Sequence, residues 1–199
     1  MKIRNRKIPR PSSEEVVLHL KRWKEKYPNA NDVRDHSPNT DVSVVEKKIS
    51  EINTNERTRL SGAEIKGLAN YIVNGIPDFG ERLSNNDLTL VSQLATEHNT
   101  KHNEKSKKPR NLYSFSSKYC NLHNPNAFPK FDKLVSEVLR HFQYVYGFIP
   151  AVSQIDSNLD DYKIFVSVLD QFTDFFNLTD FTRSEIDHYL WFLGIDYFA

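Results

Sequence analysis

The segment LSGAEIKGLANYIVNG, residues 60–75, contains the start signal, the periodicity and the end signal of an amphipathic helix. Ser61 and Glu64 have the spacing of a capping box, in which a hydroxyl and a carboxylate accept hydrogen bonds from backbone N–H groups at a helix start. The apolar residues that follow recur at helical spacing, at Ile65, Leu68, Ala69 and Ile72. Asn74-Gly75 is typical of a left-handed helix end. The segment therefore predicts a helix over about residues 62–73.

The same signals recur along most of the chain. Ser12 with Glu15, and Thr182 with Glu185, have the spacing of two further capping boxes ahead of periodic apolar residues. No segment alternates as a half-buried strand does, and no internal repeat is visible. We therefore predict an all-α protein of about eight helices. The clearest are at about residues 13–26, 62–73, 87–98, 132–145, 160–177 and 183–194, with further helical segments at 42–52 and 115–122.

The composition is that of an ordinary soluble globular chain. Of 199 residues, 38% are hydrophobic, and 13 Phe and 9 Tyr against 6 Gly favour a compact helical protein over a disordered or turn-rich one. Cys120 is the single cysteine, which excludes an intramolecular disulfide and a four-cysteine zinc site. No apolar run approaches the roughly 18 residues of a membrane span. We expect a cytoplasmic protein without a membrane partner.

Charge is unevenly distributed along the chain, although the formal net charge is +1. Residues 150–199 contain nine acidic and two basic residues. Two other segments are basic: residues 1–11 have five bases and no acid, and residues 101–110 have five bases and one acid. Clustered basic residues attract an anionic partner. Solvated surface charges that are merely separated along the sequence would give the same pattern.

The basic segments also suggest a domain organisation. We predict an extended basic arm over residues 1–11 and a single helical domain over residues 12–199. An alternative organisation of this domain is two lobes, residues 12–100 and 111–199, joined by the basic loop 101–110.

Most common catalytic motifs are missing, because the chain contains no GxGxxG, P-loop, GxSxG or HExxH sequence. Cys120 and His123 have the spacing of half a metal site, but tetrahedral zinc needs more ligands than these two. A second alternative is that Cys120 is a nucleophile with His123 as its base. The simplest interpretation of the two residues is a half-buried cysteine beside a histidine that caps the helix. The sequence predicts no metal and no cofactor.

Two chemically interesting residues lie in YSFSSKYCNLHNPNAFPKFDKLVSEVL, residues 113–139. Lys118 lies beside the apolar stripe of Phe115, Tyr119 and Leu122, where the simplest interpretation is a solvated lysine. Asp132 follows the Pro129 turn and precedes a helix, where the simplest interpretation is an N-cap. A catalytic role for both residues is the alternative.

This segment resembles the part of the helix-hairpin-helix DNA glycosylase superfamily, especially of 8-oxoguanine DNA glycosylase-like proteins, that carries a lysine near the start of one helix and an aspartate at the start of the next. Lys118 matches the family lysine and Asp132 matches the family aspartate. Residues 185–192, EIDHYLWF, resemble the closing helix of the same proteins. The resemblance covers only the C-terminal half of the chain. It implies a helical DNA-glycosylase-like core, duplex DNA as partner, and Lys118 and Asp132 as catalytic residues.

The implied chemistry is base excision. A lysine amine attacks the sugar carbon of a flipped nucleotide as the base leaves, and the resulting Schiff base leads to strand scission. A carboxylate at a helix N-terminus helps to deprotonate that amine and stabilises positive charge on the sugar. Three aromatic residues are candidates for stacking on the base, although each fits a core position equally well: Phe128, Phe131 and Trp191.

The chain departs from the family pattern just before the lysine helix. The family grips a DNA phosphate there with a glycine-rich hairpin, whereas this chain has KSKKPRNLYS, residues 105–114, without glycine. Four basic residues of this segment are the predicted DNA-binding residues that replace the hairpin electrostatically: Lys105, Lys107, Lys108 and Arg110.

Three functions therefore stay open. The first is a DNA glycosylase with a lyase step. The second is a non-enzymatic helical module that keeps the scaffold and binds DNA or a protein, because fold does not fix function. The third makes the acidic, aromatic C-terminal helices a homodimer surface.

Overall fold

A computed structural model of the chain describes residues 8–28, 39–96, 112–149, 159 and 161–199. Within these residues it contains nine α-helices, one π-helical turn and no strand. The predicted all-α fold of about eight helices is thereby confirmed. None of the helices in this part of the chain combines the length and apolar character that crossing a membrane requires.

The helices follow the predicted order with small differences in their bounds. In chain order they are α1 (Ser13–Lys26), α2 (Val42–Asn55), α3 (Gly62–Asn70), α4 (Phe79–Ser84), α5 (Thr89–Thr96), α6 (Tyr113–His123), α7 (Lys133–Tyr146), α8 (Tyr162–Phe175) and α9 (Arg183–Tyr197), with the π-helical turn Tyr71–Gly75 after α3. The short helix α4 was not predicted. It follows Asp78, whose φ of 52° redirects the backbone after Pro77.

The chain divides into two compact units. Unit one comprises residues 1–33 and 129–199, and unit two comprises residues 34–128. The two lobes predicted from the sequence have a different boundary, at residues 101–110. Helices α5 and α6, on the two sides of that segment, pack against each other, and α1 packs against α9. Helix packing, and not the position of the basic segment, therefore sets the division.

Helix α9 is the centre of unit one and packs against α1, α7 and α8. It is buried on most sides, so that it shows little of the one-sided apolar pattern of a surface helix. A Cβ atom added at Gly194 would lie 2.5 Å from Cβ of Leu134 on α7. Gly194 thus serves close helix packing and does not end the helix, which continues three residues beyond the predicted end.

Aromatic rings form a cluster within the core of unit one. The Phe172 ring of α8 lies 5.6 Å from the Phe142 ring and 4.9 Å from the Phe176 ring, measured between centroids. The apolar face that suggested a homodimer surface is used largely inside the unit, and its buried members are Tyr162, Phe165, Val166, Val168, Leu169 and Phe172. Helix α8 begins two residues later than predicted, because Asp161 caps its first turn, and it ends two residues earlier, at Phe175.

Helix α6 is the centre of unit two. It packs against α5 and α2, and α2 packs in turn against α3. The buried apolar side chains around it include Ile49 and Ile52 of α2 and Leu90 and Leu94 of α5. Unit two therefore resembles unit one in having a central helix that is enclosed by its neighbours.

Two of the three predicted capping boxes are complete. Ser61 with Glu64, and Thr182 with Glu185, show both reciprocal hydrogen bonds. At the start of α1 the structure shows the Ser12 half, with the hydroxyl accepting from the N–H of Glu15 at 3.4 Å. The Glu15 carboxylate lies instead 3.8 Å from Nδ1 of His19, one turn further along the helix. A competing partner thus explains the incomplete box.

The predicted left-handed end of α3 is wrong. Within the described residues, neither Asn74 nor Gly75 has a positive φ. The helix instead widens into the π-helical turn Tyr71–Gly75, whose N–H to C=O bond runs from Ile76 to Tyr71 at 3.1 Å. Glycine is needed at position 75 for space, because a Cβ atom there would overlap the Tyr71 ring.

The described end of the predicted basic arm packs onto unit one instead of extending from it. Ile8 and Pro11 are buried. The guanidinium carbon of Arg10 lies 5.5 Å from the centroid of the Tyr146 ring and 5.8 Å from that of Phe176, which is cation–π geometry. Arg10 is therefore engaged by the core of its own unit. The other residues of the arm, 1–7, lie outside the described residues.

The close approach at Gly194 generates a stability prediction. We expect Gly194→Ala to lower the free energy of unfolding by about 1–3 kcal/mol, because the added methyl group overlaps Leu134 in a packed core. Gly62→Ala is the matched control, since an added Cβ there meets nothing within 4 Å. Alanine in that helix should leave stability unchanged or raise it by up to about 1 kcal/mol. Urea denaturation followed by circular dichroism measures both, and equal effects would contradict the close packing.

Candidate active site

Lys118 lies on α6 of unit two, and its side chain is only 9% exposed. Its Nζ is 3.6 Å from Oε2 of Glu56, the residue that caps the end of α2. An ammonium group removed from water needs a compensating partner, and the Glu56 carboxylate supplies one. The interpretation of Lys118 as a solvated lysine is therefore wrong.

The burial of Lys118 follows from the central position of α6. Eight of its eleven residues are buried, including two consecutive serines next to the lysine. The hydroxyls of Ser116 and Ser117 donate to the carbonyls of Leu112 and Ser114, each at 3.0 Å, so that their polar groups are satisfied within the helix. Burial thus extends well beyond the apolar stripe that the sequence shows.

A second buried lysine lies in unit two, on α2. Lys48 is 3% exposed, and its Nζ donates to Oδ1 of Asn39 at 3.0 Å. The hydroxyl of Tyr119, the neighbour of Lys118, donates to the same oxygen at 2.7 Å. Lys48 is not among the site residues predicted from the sequence. Its position three residues after Val45 and four before Ile52 is a core position of that helical pattern, and this signal was available.

Asp132 lies in unit one and caps α7. Its Oδ1 accepts a hydrogen bond from the N–H of Leu134 at 2.7 Å, and its backbone is extended, as an N-cap requires. The N-cap interpretation of Asp132 is confirmed, and α7 begins one residue later than predicted. Lys118 and Asp132 thus belong to different units, and each has a partner within its own unit.

The segment that leads from α6 to α7 is anchored within each unit. In unit two, Nδ2 of Asn121 donates to the carbonyl of Phe128 at 2.8 Å. In unit one, the hydroxyl of Tyr162 donates to the carbonyl of Pro129 at 2.7 Å, and the N–H of Lys130 donates to the buried carboxylate of Asp187 at 3.4 Å. Buried side chains therefore fix the backbone on both sides of the division between Phe128 and Pro129.

The loop from Glu56 to Leu60 joins α2 to α3 and begins at the partner of Lys118. Arg57 and Arg59 have φ angles of 52° and 59°, a left-handed conformation that costs about 1–2 kcal/mol for each non-glycine residue. Both arginine side chains are exposed. This loop was not predicted from the sequence, because the pattern of apolar residues carries no information on backbone strain between helices.

Cys120 is not a nucleophile in this fold. Its side chain is completely buried in α6, and burial raises the pKa of the thiol above its ordinary value, with a smaller contribution from the charge of Asp87. A thiol that stays protonated does not attack. Among the described residues, no group of three or more His, Cys, Asp or Glu side chains could hold a metal ion.

The other predicted site residues have different outcomes. Lys105, Lys107, Lys108 and Arg110 lie outside the described residues. Phe128 is completely buried in unit two, which agrees with a core position. In unit one, Phe131 and Trp191 are partly exposed and pack edge-on, with centroids 5.3 Å from the Phe165 ring and 5.5 Å from the Phe192 ring.

Unit one also has an open surface groove of about 580 Å³ between α1 and the start of α9. Apolar side chains, including Leu20 and Phe181, line it together with two lysines and two glutamates. None of the predicted catalytic residues belongs to this groove.

Comparison with known proteins identifies a family. The family model HI_0787_N, described as an N-terminal domain, matches residues 15–127, which include most of α1 and nearly all of unit two. A protein of Haemophilus influenzae, described only as uncharacterized, is 39% identical over 124 residues, which are 62% of this chain and 54% of that protein. The chain thus spans about half the length of this relative. No solved structure matches the chain. The match of more than half of its residues shows that the chain belongs to the HI_0787_N family of N-terminal domains.

Proposed function

We propose that this protein binds duplex DNA and excises a modified base, with the amine of Lys118 as the nucleophile. The observation that carries the proposal is the buried amine of Lys118, held 3.6 Å from the Glu56 carboxylate. Lysine is rarely buried unless it has a specific partner, and buried amines are typical of lysine nucleophiles. The resemblance of residues 113–139 to 8-oxoguanine DNA glycosylase-like proteins supports the same residue independently.

The proposed reaction begins with a neutral Lys118 amine, which attacks C1′ of a flipped nucleotide. A C1′–N bond forms while the bond from C1′ to the base breaks, and the base leaves with the bonding electron pair and takes up a proton. Loss of the amine proton and opening of the sugar ring give a Schiff base. Removal of a C2′ proton then expels the 3′ phosphate and breaks the strand.

Two carboxylates have distinct roles in this proposal. Glu56 holds the Lys118 side chain inside unit two and is the carboxylate nearest to receive its proton. Asp132, at the N-terminus of α7, is the residue that the resemblance assigns to activation of the amine and to stabilisation of the positive charge on the sugar. A carboxylate at a helix N-terminus suits that role, because the helix dipole stabilises its negative charge.

The second candidate function is a non-enzymatic helical module that binds DNA or a protein partner. One observation favours it: Lys118 and Asp132 each have a structural partner in their own unit, Glu56 and the N–H of Leu134. An ion pair and an N-cap account for both residues without any chemistry. A measurement that detects the covalent step separates the two functions.

Borohydride trapping supplies that measurement. We expect the protein to become covalently linked to a duplex from a panel containing 8-oxoguanine or an abasic site, because borohydride reduces a Schiff base to a stable amine. Lys118→Met should abolish the link and leave DNA affinity within about twofold, since a nucleophile acts mainly in the transition state. Lys48→Met is the matched control, because it removes the other buried amine described in unit two. If the protein links to no duplex, or if the Lys118→Met variant still links, base excision by Lys118 is contradicted and the non-enzymatic binding module is the remaining function.

Substitution of Asp132 separates capping from catalysis. Asn caps a helix about as well as Asp, so Asp132→Asn should lower the free energy of unfolding by less than about 0.5 kcal/mol. The single-turnover rate of base excision should fall by about 100-fold or more, because the carboxylate is lost. Asp132→Ala should lose the cap as well, at about 1 kcal/mol. If Asp132→Asn excises at the rate of the unaltered protein, Asp132 is a cap and nothing more.

A further inference from the structure

We propose that the outer face of α1 binds a second copy of this chain, as an antiparallel helix pair about a two-fold axis. Four exposed residues of α1 make up this outer face: Glu14, Val17, Leu18 and Lys21. The proposal concerns unit one alone. It is independent of the proposed function, because it uses neither Lys118 nor Asp132.

Exposed apolar side chains on α1 are the first observation. Val17 is 57% exposed and Leu18 is 51% exposed, whereas Val16 and Leu20 of the same helix are buried in unit one. A surface helix ordinarily turns polar residues outward. The adjacent pair Val17 and Leu18 instead leaves apolar area in water at the middle of the outer face, and a partner that covers this area gains hydrophobic stabilisation.

Opposite charges flank the apolar pair. Glu14 lies three residues before Val17, and Lys21 lies three residues after Leu18. Residues three or four apart are neighbours on a helix surface, so that all four side chains share the outer face. The pKa of the Glu14 carboxyl is lowered, chiefly by a hydrogen bond with the Ser12 side chain. Glu14 is therefore charged at neutral pH, as Lys21 is.

A two-fold axis makes this pattern complementary to itself. When two copies of α1 run antiparallel and cross between Val17 and Leu18, Val17 of one copy meets Leu18 of the other, and Glu14 meets Lys21. Both kinds of pair then occur on each side of the axis. A parallel arrangement would place Glu14 beside Glu14 and Lys21 beside Lys21, which repel. The charges therefore favour the antiparallel pair and identify a second copy as the partner.

The open groove of unit one lies beside the outer face and shares residues with it. Val17 and Lys21 line this groove of about 580 Å³ together with Leu20 and Phe181. An apolar side chain of the second copy that packs against Val17 therefore lies next to further apolar surface. Covering this surface adds to the hydrophobic gain of the helix pair.

The size of the outer face sets the strength that we expect. Helix α1 has 14 residues, and a helix of this length spans about 21 Å. A contact confined to one such helix and its groove buries less than the roughly 800 Å² for each partner that a standard stable interface buries. We therefore expect a reversible dimer with a dissociation constant of about 10–100 µM. Salt should weaken it, because the ion pairs lie at the surface.

The test is sedimentation equilibrium of the full chain at low salt, from about 5 µM to about 500 µM. We expect the average mass to rise from that of a monomer towards that of a dimer. Glu14→Lys and Lys21→Glu each place like charges opposite one another, and each should weaken association at least about tenfold. An equimolar mixture of the two variants should associate about as well as the unaltered protein, because each contact then joins a lysine to a glutamate. Lys163→Glu, which reverses an exposed charge on α8, should change nothing.

The apolar pair and folding are tested separately. Leu18→Gln should weaken association about tenfold or more, while the urea midpoint of the dilute monomer stays unchanged, because the side chain is exposed. Misfolding cannot explain weaker association of the charge variants if their mixture associates. A chain that stays monomeric at about 500 µM would overturn the proposal and leave the outer face for a different partner. Charge variants that associate normally, or a mixture that stays monomeric, would overturn the antiparallel pair.

Discussion

Burial of α6 is the constraint on which the rest of unit two depends. A helix enclosed by its neighbours needs an internal partner for each polar side chain that it carries. Asn121 finds one in the carbonyl of Phe128, Tyr119 in Asn39, and Lys118 in Glu56. The last of these contacts links the middle of α6 to the end of α2. The position of Glu56, and hence the end of α2, is therefore tied to the need to compensate one buried ammonium group.

Local signals in the sequence predicted most of the secondary structure, because capping and periodicity act over a few residues. The capping boxes before α3 and α9 and the N-cap of α7 formed as expected. Burial was harder to predict, because the sequence argument assumes that one apolar face marks the inside. Central helices violate this assumption. In α6 and α9 small and polar residues lie inside as well, and Lys118 was therefore interpreted as solvated.

The candidate site could be predicted only one residue at a time. The resemblance singled out Lys118 and Asp132, and the N-cap rule anticipated what Asp132 contacts. The partner of Lys118 could not be inferred, because Glu56 follows the end of α2, far from Lys118 in the sequence, and the contact depends on how α2 and α6 pack. Arg57 and Arg59 were missed for a related reason: their left-handed conformation results from hydrogen bonds to Asn53, which no spacing rule reports. Non-local contacts thus supply the part of the site that the sequence argument lacks.

The energetic cost of this region is itself an argument about its purpose. A buried ion pair contributes little net stability, because desolvation offsets the attraction, and an apolar residue of similar size often serves as well. Left-handed arginines cost further free energy that glycine or asparagine would avoid. Lys118, Arg57 and Arg59 depart from the local optimum. Lys118 contacts Glu56, and the two arginines lie one and three residues after Glu56 in the sequence. Departures from local rules that converge on one place are typical of functional sites, where binding or chemistry takes precedence over stability.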